Sequence, residues 1–422
     1  MSTQKTNPSK RKYLIVNKTS TARFDKARKD VIFFIKEGQM PINNAIQRES
    51  NLSQIFETVW KEGEISRIEL SKKLGVYRST ITNIIDLLIK NKIIIEGERG
   101  SVSEKGGRKP ISLLINKEAG VIIGMELQVD FCSINVINLC GNTVYAKKHP
   151  VEFKVNLKDT SQNEAKFDAI IEKFVKPEID ELKKQGVRIF GICLAVPGIV
   201  NSEKGIIVKS VPFGLSDYDF AGKFFNKYKI PFLIENDAKC CSWLNCLNSE
   251  EDFICVLMCN HDRGDIGVGL SVCVNGNILT GKNFAVGEYR SLSWKDEKNG
   301  QTGLPKNVFN KISRDKDAYK AWIIDLFSTL TVFIPLLGPG KIYFYGLKDD
   351  ENQKITKIIH SRIPQFEEAL KVFNTKTIIP SGTGQEISRG AALMFIQRLF
   401  RIPYEEKYYF KNRLTWEKVF EG

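Results

Sequence analysis

Long apolar runs are missing from this chain of 422 residues, and so are the marks of export. The most apolar stretch, LFSTLTVFIPLLG at 326–338, falls short of the roughly 20 residues that a membrane-crossing helix needs. It contains Pro335 and reads as the end of a buried helix. The N-terminus has Lys and Arg but no apolar core or cleavage site of a secretion signal. Histidine is scarce: His149, His261 and His360 stand far apart, with none of the spacing a metal site uses. The nine cysteines form no CxxC pair. Cys255 and Cys259 would share a strand face roughly 13 Å apart, too far to hold one metal. Buried, reduced thiols in a cytoplasmic protein are the expectation.

Acidic charge is also in deficit, unevenly along the chain. The net charge is +14, and residues 1–40 alone carry ten Lys or Arg against three Asp or Glu. Residues 41–110 carry twelve against nine, and the rest of the excess is spread thinly. Basicity placed this way fits a phosphate-bearing partner; a solvated tail without a partner is the other reading. An apolar fraction of 42% is ordinary for a globular protein, and the length allows two or three domains. Residues 1–40 form a basic extension rich in Ser, Thr, Asn and Lys. Met40 precedes PINNAIQRESNLSQIF, a natural domain start, and translation from Met40 is a hypothesis that an intact mass tests.

The most informative stretch is EISRIELSKKLGVYRSTITNIIDLLIKN at 64–91. Ile68, Leu70 and Leu74 can line one face of a first helix, and Ile81, Ile84, Ile85 and Leu88 repeat at three- and four-residue steps on a second. Leu74-Gly75-Val76 supplies the turn, with Gly75 free to take a positive φ. Tyr77, Arg78, Ser79, Thr80, Thr82 and Asn83 are left facing outward. Arg forks onto guanine, Asn onto adenine, and hydroxyls reach phosphates or base edges. An ordinary helical hairpin with a solvated polar face has the same pattern. The following residues favour a helix-turn-helix. Ile93-Ile94-Ile95-Glu96, a Gly- and Ser-rich turn and Ile111-Ser112-Leu113-Leu114-Ile115 make a β-hairpin placed as a wing. Arg99, Lys105, Arg108 and Lys109 put positive charge on it, and Arg67 adds to the candidate DNA contacts. Leu52, Ile55, Phe56 and Val59 give the helix that closes this small core.

From Val121 the pattern turns to strands. VIIGMELQ, FCSINVINLCG and TVYAKKHPVEF are followed by a helix over about 161–185, the buried strand at 189–196, a helix near 219–229, PFLIEN and a helix from Ala238. Strands return at FICVLMCN and GVGLSVCVNGNILTG. Two similar α/β units with a cleft between two lobes are expected.

The chain resembles the ROK family, which contains sugar kinases and repressors with an added winged helix. The resemblance runs from about Ile42 to Pro403 and rests on the order of the winged helix, GRKPISLLIN, GICLAVPGIV, PFLIENDAKC, IGVGLSVCVNGNILTG, AVGEYRS and EISRGAALMF. It implies an α/β fold with a winged helix-turn-helix at 41–115 and a duplicated, ribonuclease H-like, actin-like domain at 116–422. The first lobe would span about 116–230 with a C-terminal helix, and the second about 231–385. In the family's kinases the Asn-Asp of the END motif and the Glu of the GE motif hold the sugar, and the Asp is the base. The matching residues are Asn236, Asp237 and Glu288. Carboxylates and amides suit vicinal hydroxyls, while Asn or Asp at a strand-to-helix turn also serves as an N-cap.

Departures from the kinase pattern point to a regulator. The glycine-rich phosphate turn is replaced by Glu126-Leu127-Gln128-Val129-Asp130-Phe131, a second by Arg263-Gly264-Asp265, and a Gly-Gly pair near the adenosine site by Tyr345-Gly346-Leu347. Carboxylates repel a triphosphate, and side chains keep the backbone from approaching it. The family's zinc-binding His position is Ser291, and no cysteine follows Cys273. Because that His also touches sugar, Ser291 joins the candidate sugar residues, with Arg290 and Trp294 as neighbours able to compensate. The expectation is a cytoplasmic, homodimeric or homotetrameric repressor of carbohydrate genes, with operator DNA and a sugar or sugar phosphate as partners. No cofactor, metal or membrane is implied. A sugar kinase that kept a DNA-binding domain, and a regulator controlled by a protein partner, are the alternatives.

Overall fold

The structure is a computed structural model that describes residues 44–99, 111–156, 158–247, 251–260, 266–295, 300–347, 349–380, 382, 384–401 and 414–421. The chain divides into two compact units, Met1–Arg48 and Glu49–Gly422. Of the first, only residues 44–48 are described, as the start of a helix.

Helix α1 (Asn44–Glu62) is followed by the two-residue strand β1 (Ile65–Ser66), then α2 (Arg67–Leu74) and α3 (Arg78–Lys90). Ser66 starts α2 through a capping box: its hydroxyl accepts from the Glu69 amide, and its own amide donates to the Glu69 carboxylate. Gly75 ends the helix at φ 65°, as the turn requires. Leu52, Ile55, Phe56 and Val59 of α1 are buried with Leu70, Ile81, Ile84, Ile85 and Leu88. Ile68 departs from the sequence expectation and is 46% exposed. Two residues before Leu70, it lies roughly 200° around the helix from the buried face. Strands β2 (Ile94–Arg99) and β3 (Ile111–Ile115) pair antiparallel, and β1 joins the other edge of β3.

The larger part repeats one pattern. Strands β4 (Val121–Leu127), β5 (Phe131–Asn138) and β6 (Thr143–Pro150) lead into α4 (Thr160–Lys184), β7 (Ile189–Val196), β8 (Ile199–Asn201), β9 (Ile206–Ser210), β10 (Leu215–Asp219), α5 (Phe220–Tyr228) and β11 (Phe232–Asn236). Then come α6 (Asp237–Cys246), β12 (Phe253–Asn260), β13 (Ile266–Val274), β14 (Asn277–Ile278), α7 (Lys306–Phe309), α8 (Lys316–Leu337) and β15 (Lys341–Tyr345). The chain closes with α9 (Asp349–Arg362), α10 (Pro364–Val372), β16 (Lys376–Ile378), α11 (Glu386–Phe400) and α12 (Trp416–Glu421). One five-stranded sheet has the order β11-β7-β4-β5-β6, the other β14-β13-β12-β15-β16. In both, the central strand pairs antiparallel with its successor and parallel with a later strand. Every residue of β4 and of β7 is buried, as a continuous apolar strand between two covered faces must be.

Helix α8 corrects the reading of 326–338. The helix extends back through KDAYKAWIID, so by length and composition its 22 residues are enough to cross a membrane, with a mean hydropathy of 1.6 over an 18-residue window. Trp322, Ile323, Leu326, Phe327, Leu330 and Ile334 instead bury one side against the second sheet and its helices. The far end is not buried as expected: Leu336 is 71% exposed.

Candidate functional site

Strand β11 ends in Glu235-Asn236, and α6 begins at Asp237, so the turn between them sets both side chains at a helix N-terminus. The Asn236 side chain caps α6 by accepting from the Lys239 amide at 3.1 Å. Its Nδ2 donates to the Gly198 carbonyl at 3.0 Å and to the Asp237 carboxylate at 3.1 Å. Asp237 is 5% exposed and also accepts from the Ala238 amide at 2.9 Å. The cap takes the single side-chain oxygen of Asn236 and both Nδ2 protons are given to Gly198 and Asp237, so the Asn236 side chain is engaged in holding the turn and orienting Asp237.

Gln128, at the end of β4, reaches into the same place. Its Nε2 donates to Asp237 at 3.0 Å and lies 3.4 Å from Glu126. Glu126 is 3% exposed. Burial first, and then the Asp237 charge, push its carboxyl up to about 8. At neutral pH the Glu126 carboxyl therefore holds its proton and can donate a hydrogen bond.

Glu288 arrives from the second sheet. Gly287, at φ 99°, lets the backbone press against β13, where an added Cβ would stand 2.0 Å from the Leu270 carbonyl. The Leu270 amide donates to the Gly287 carbonyl at 3.0 Å, and Gly269 bridges Glu288. The Glu288 side chain stays partly open to solvent; burial on its inner side and the Asp237 charge raise its pKa, against the pull of Arg290, Lys239 and Lys209. Lys239 was not foreseen. It is 2% exposed, and its ammonium donates to the Phe284 carbonyl at 2.9 Å, tying α6 to the loop that carries Glu288. Its only sequence signal is a charge among Ala238, Cys240 and Cys241, on a helix start that is otherwise small and apolar.

Ser291 sits differently from the other three. It is 5% exposed, and its hydroxyl accepts from the Gly303 amide at 3.2 Å and pairs with Ser293 at 3.0 Å. It holds its own loop together. Trp294 donates to the Gly300 carbonyl at 2.9 Å, with the Arg290 guanidinium 5.6 Å from its ring.

Residues 124–297 match the ROK family. The chain carries a ROK family domain. Among its relatives are the xylose repressor of Caldicellulosiruptor bescii, 24% identical over 60% of this chain and 62% of that protein, and the xylose repressor of Staphylococcus xylosus, 27% identical over 77% of this chain and 81% of that protein. The match to the first thus spans under two thirds of its length. The DNA-binding transcriptional repressor Mlc of Escherichia coli is 22% identical over 55% of each chain. A crystal structure of a ROK family transcriptional regulator, a homologue of the E. coli Mlc protein, superposes with a TM-score of 0.64 at 17% identity, covering 89% of this chain and all of that one. That likeness establishes the ROK fold for both lobes.

Glu126 and Gln128, in the stretch that the resemblance matches to a phosphate turn, are both buried, and Gln128 donates to Asp237. Tyr345 is also buried, its hydroxyl accepting from Asn245 at 3.0 Å, so it fills space beside α6. Residues 263–265 lie outside the described residues.

The other candidate residues cluster on α3. Tyr77 is 84% exposed; Arg78, Ser79, Thr82 and Asn83 are exposed and Thr80 half-buried. The Thr82 hydroxyl is used locally, donating to the Arg78 carbonyl at 2.9 Å. Arg67 is engaged elsewhere: its guanidinium pairs with Asp86 at 3.0 Å and Glu96 at 2.6 Å, linking α2 to α3 and β2. Arg99 closes the β2 register opposite Ile111. Its side chain, with Arg108 and Lys109, lies outside the described residues.

Proposed function

We propose that this chain is a DNA-binding transcriptional repressor of sugar-metabolism genes. On this reading residues 41–115 are a winged helix-turn-helix, and the ROK domain senses a sugar without phosphorylating it. The observation that carries the reading is the two-sided character of α3. Ile81, Ile84, Ile85 and Leu88 are buried, while a row of Tyr, Arg, Ser, Thr and Asn faces out at its N-terminal end. That is the part of a recognition helix that meets base edges in the major groove. Relatives named as xylose repressors and as Mlc agree with it.

The effector is an uncharged sugar in preference to a sugar phosphate. Asp237, with Glu126 and Glu288 beside it, makes a cluster rich in carboxyls, where burial first, and the repulsion of the Asp237 charge after it, raise two of the pKa values. A phosphate dianion would add to that repulsion, whereas sugar hydroxyls both donate to Asp237 and accept from a protonated Glu126. Kinase action is disfavoured because the glycines that the resemblance expects at the phosphate and adenosine turns are replaced by residues with side chains, Gln128 and Tyr345 among them.

Fluorescence anisotropy on the DNA upstream of the chain's own gene, at fixed salt and against a non-specific duplex, tests this. D-xylose should change the specific affinity at least tenfold. Asp237→Asn should abolish that change while leaving sugar-free affinity within twofold. Binding that is weak, sequence-blind and steeply salt-dependent would refute the repressor reading.

A further inference from the structure

We infer that α11 is the coupling element between the sugar cleft and the DNA-reading unit, and that Phe400, packed on Phe56 and Trp60, is the junction through which it acts. The inference rests on the repressor reading above and assigns the path by which its two sites communicate.

Each end of α11 is placed by direct contacts. At its start, the Ser388 hydroxyl lies 3.1 Å from that of Ser133 on β5, and the Glu386 charge acts on Glu126. A Cβ added at Gly390 would stand 2.0 Å from the Cys240 carbonyl of α6, one turn beyond Asp237. A Cβ added at Gly124 would stand equally close to the Ser388 carbonyl. Backbone therefore meets backbone on both sides, with β4 of one lobe and α6 of the other. At Gly390 the three nearest atoms are all backbone, and at Gly124 only the Ala392 methyl stands among them, so a shift of α6 against β4 has to move α11.

Fifteen residues, about 22 Å at 1.5 Å per residue, carry that movement to the other end. There Phe400 meets Phe56 at 5.8 Å and Trp60 at 5.7 Å between ring centroids. A second contact runs alongside. Arg389 donates to the Gly141 carbonyl at 3.2 Å, and Trp60 donates to the Leu139 carbonyl at 2.9 Å, so one turn is held by both α11 and α1. The packing between is continuous: buried residues of α1, α2, α3, α6 and α11 form one apolar core. A core packed at solid density transmits displacement instead of absorbing it. Helix α1 in turn buries the face that orients α3.

Phe400→Ala in the full chain separates coupling from binding. D-xylose affinity by calorimetry should stay within twofold of wild type, because Phe400 is remote from Asp237. The sugar-induced change in DNA affinity should fall at least tenfold. Phe400→Leu, which keeps apolar volume, should retain part of the response and guards against simple misfolding. A full-sized response in Phe400→Ala would overturn the inference.

A second arm needs no sugar, so it stands even if wild type proves blind to D-xylose and the repressor reading falls. Gly390→Ala forces α11 off α6. Amide exchange across residues 49–62 should then accelerate at least tenfold, with exchange in β9 and β10 unchanged. Unaltered exchange in 49–62 would overturn the inference.

Discussion

Glu126 keeps its proton for the most part at neutral pH because its surroundings disfavour the charge: it is buried, and the Asp237 charge acts on it. The sign of its pH effect follows. The unfolded carboxyl titrates near the ordinary Glu value of about 4.3, the folded one at about 8, so the folded state holds the extra proton between them. The stability this contributes is complete below the lower value and is lost as pH rises through 8. Glu126→Gln keeps the shape and removes the titration. Between pH 6 and 9 the wild-type Tm should fall more than that of the variant, by differential scanning calorimetry; parallel curves would show that Glu126 ionises freely. Lys239 is also buried, its side-chain nitrogen donating to the Phe284 carbonyl and its charge acting on Glu288.

At the scale of elements, α2 and α3 distribute two kinds of arginine. Arg78 is exposed at the start of α3, while Arg67 is tied to Asp86 and Glu96. Arg78→Ala should weaken specific DNA binding by about 1–3 kcal/mol, roughly 5- to 150-fold, with unchanged circular dichroism. Arg67→Ala should leave DNA contacts largely intact and lower the Tm slightly, since partly exposed ion pairs contribute about 1 kcal/mol or less. Equal affinity losses from both variants would mean that α3 is not the reading element. Sequence periodicity marked Ile81, Ile84, Ile85 and Leu88 as buried, and they are, because a 13-residue helix has turns enough to define a face. Ile68 was misplaced because eight residues do not. The capping box of Ser66 and Glu69 and the turn at Gly75 fix α2 more firmly than its apolar residues do.

On the scale of the whole molecule, the C-terminal helix closes the structure onto the N-terminal one. Trp416 is 1% exposed, stands edge-on to Phe56 at 5.1 Å, and donates to the Ser53 hydroxyl at 3.1 Å. Arg188 donates to the carbonyls of Val419 at 2.6 Å and Phe420 at 2.9 Å. Trp416→Ala should destabilise by about 3–5 kcal/mol through the cavity it leaves. The loss should appear in a single unfolding transition, because the core it joins runs unbroken from α1 through α11. An early separate melting of the N-terminal helices would show that they fold independently.

Local pattern by itself marked α2 and α3, the strands flanking the wing at 94–99 and 111–115, the first α/β unit from β4 to β11 without β8, β9 and β10, and the turn that places Asn236 and Asp237 at the start of α6. Each depends on residues close in sequence, where periodicity, caps and glycines act directly. The tertiary structure alone decided which charges are held by partners. It set Gln128 against Asp237 across 109 positions, tied Lys239 to Phe284, paired Arg67 with Asp86 and Glu96 and used Ser291 to fasten a loop. It also joined α11 to α1 through Phe400. No spacing rule reaches over such separations, since the free energy of these contacts depends on burial and dielectric that exist only once the lobes have formed.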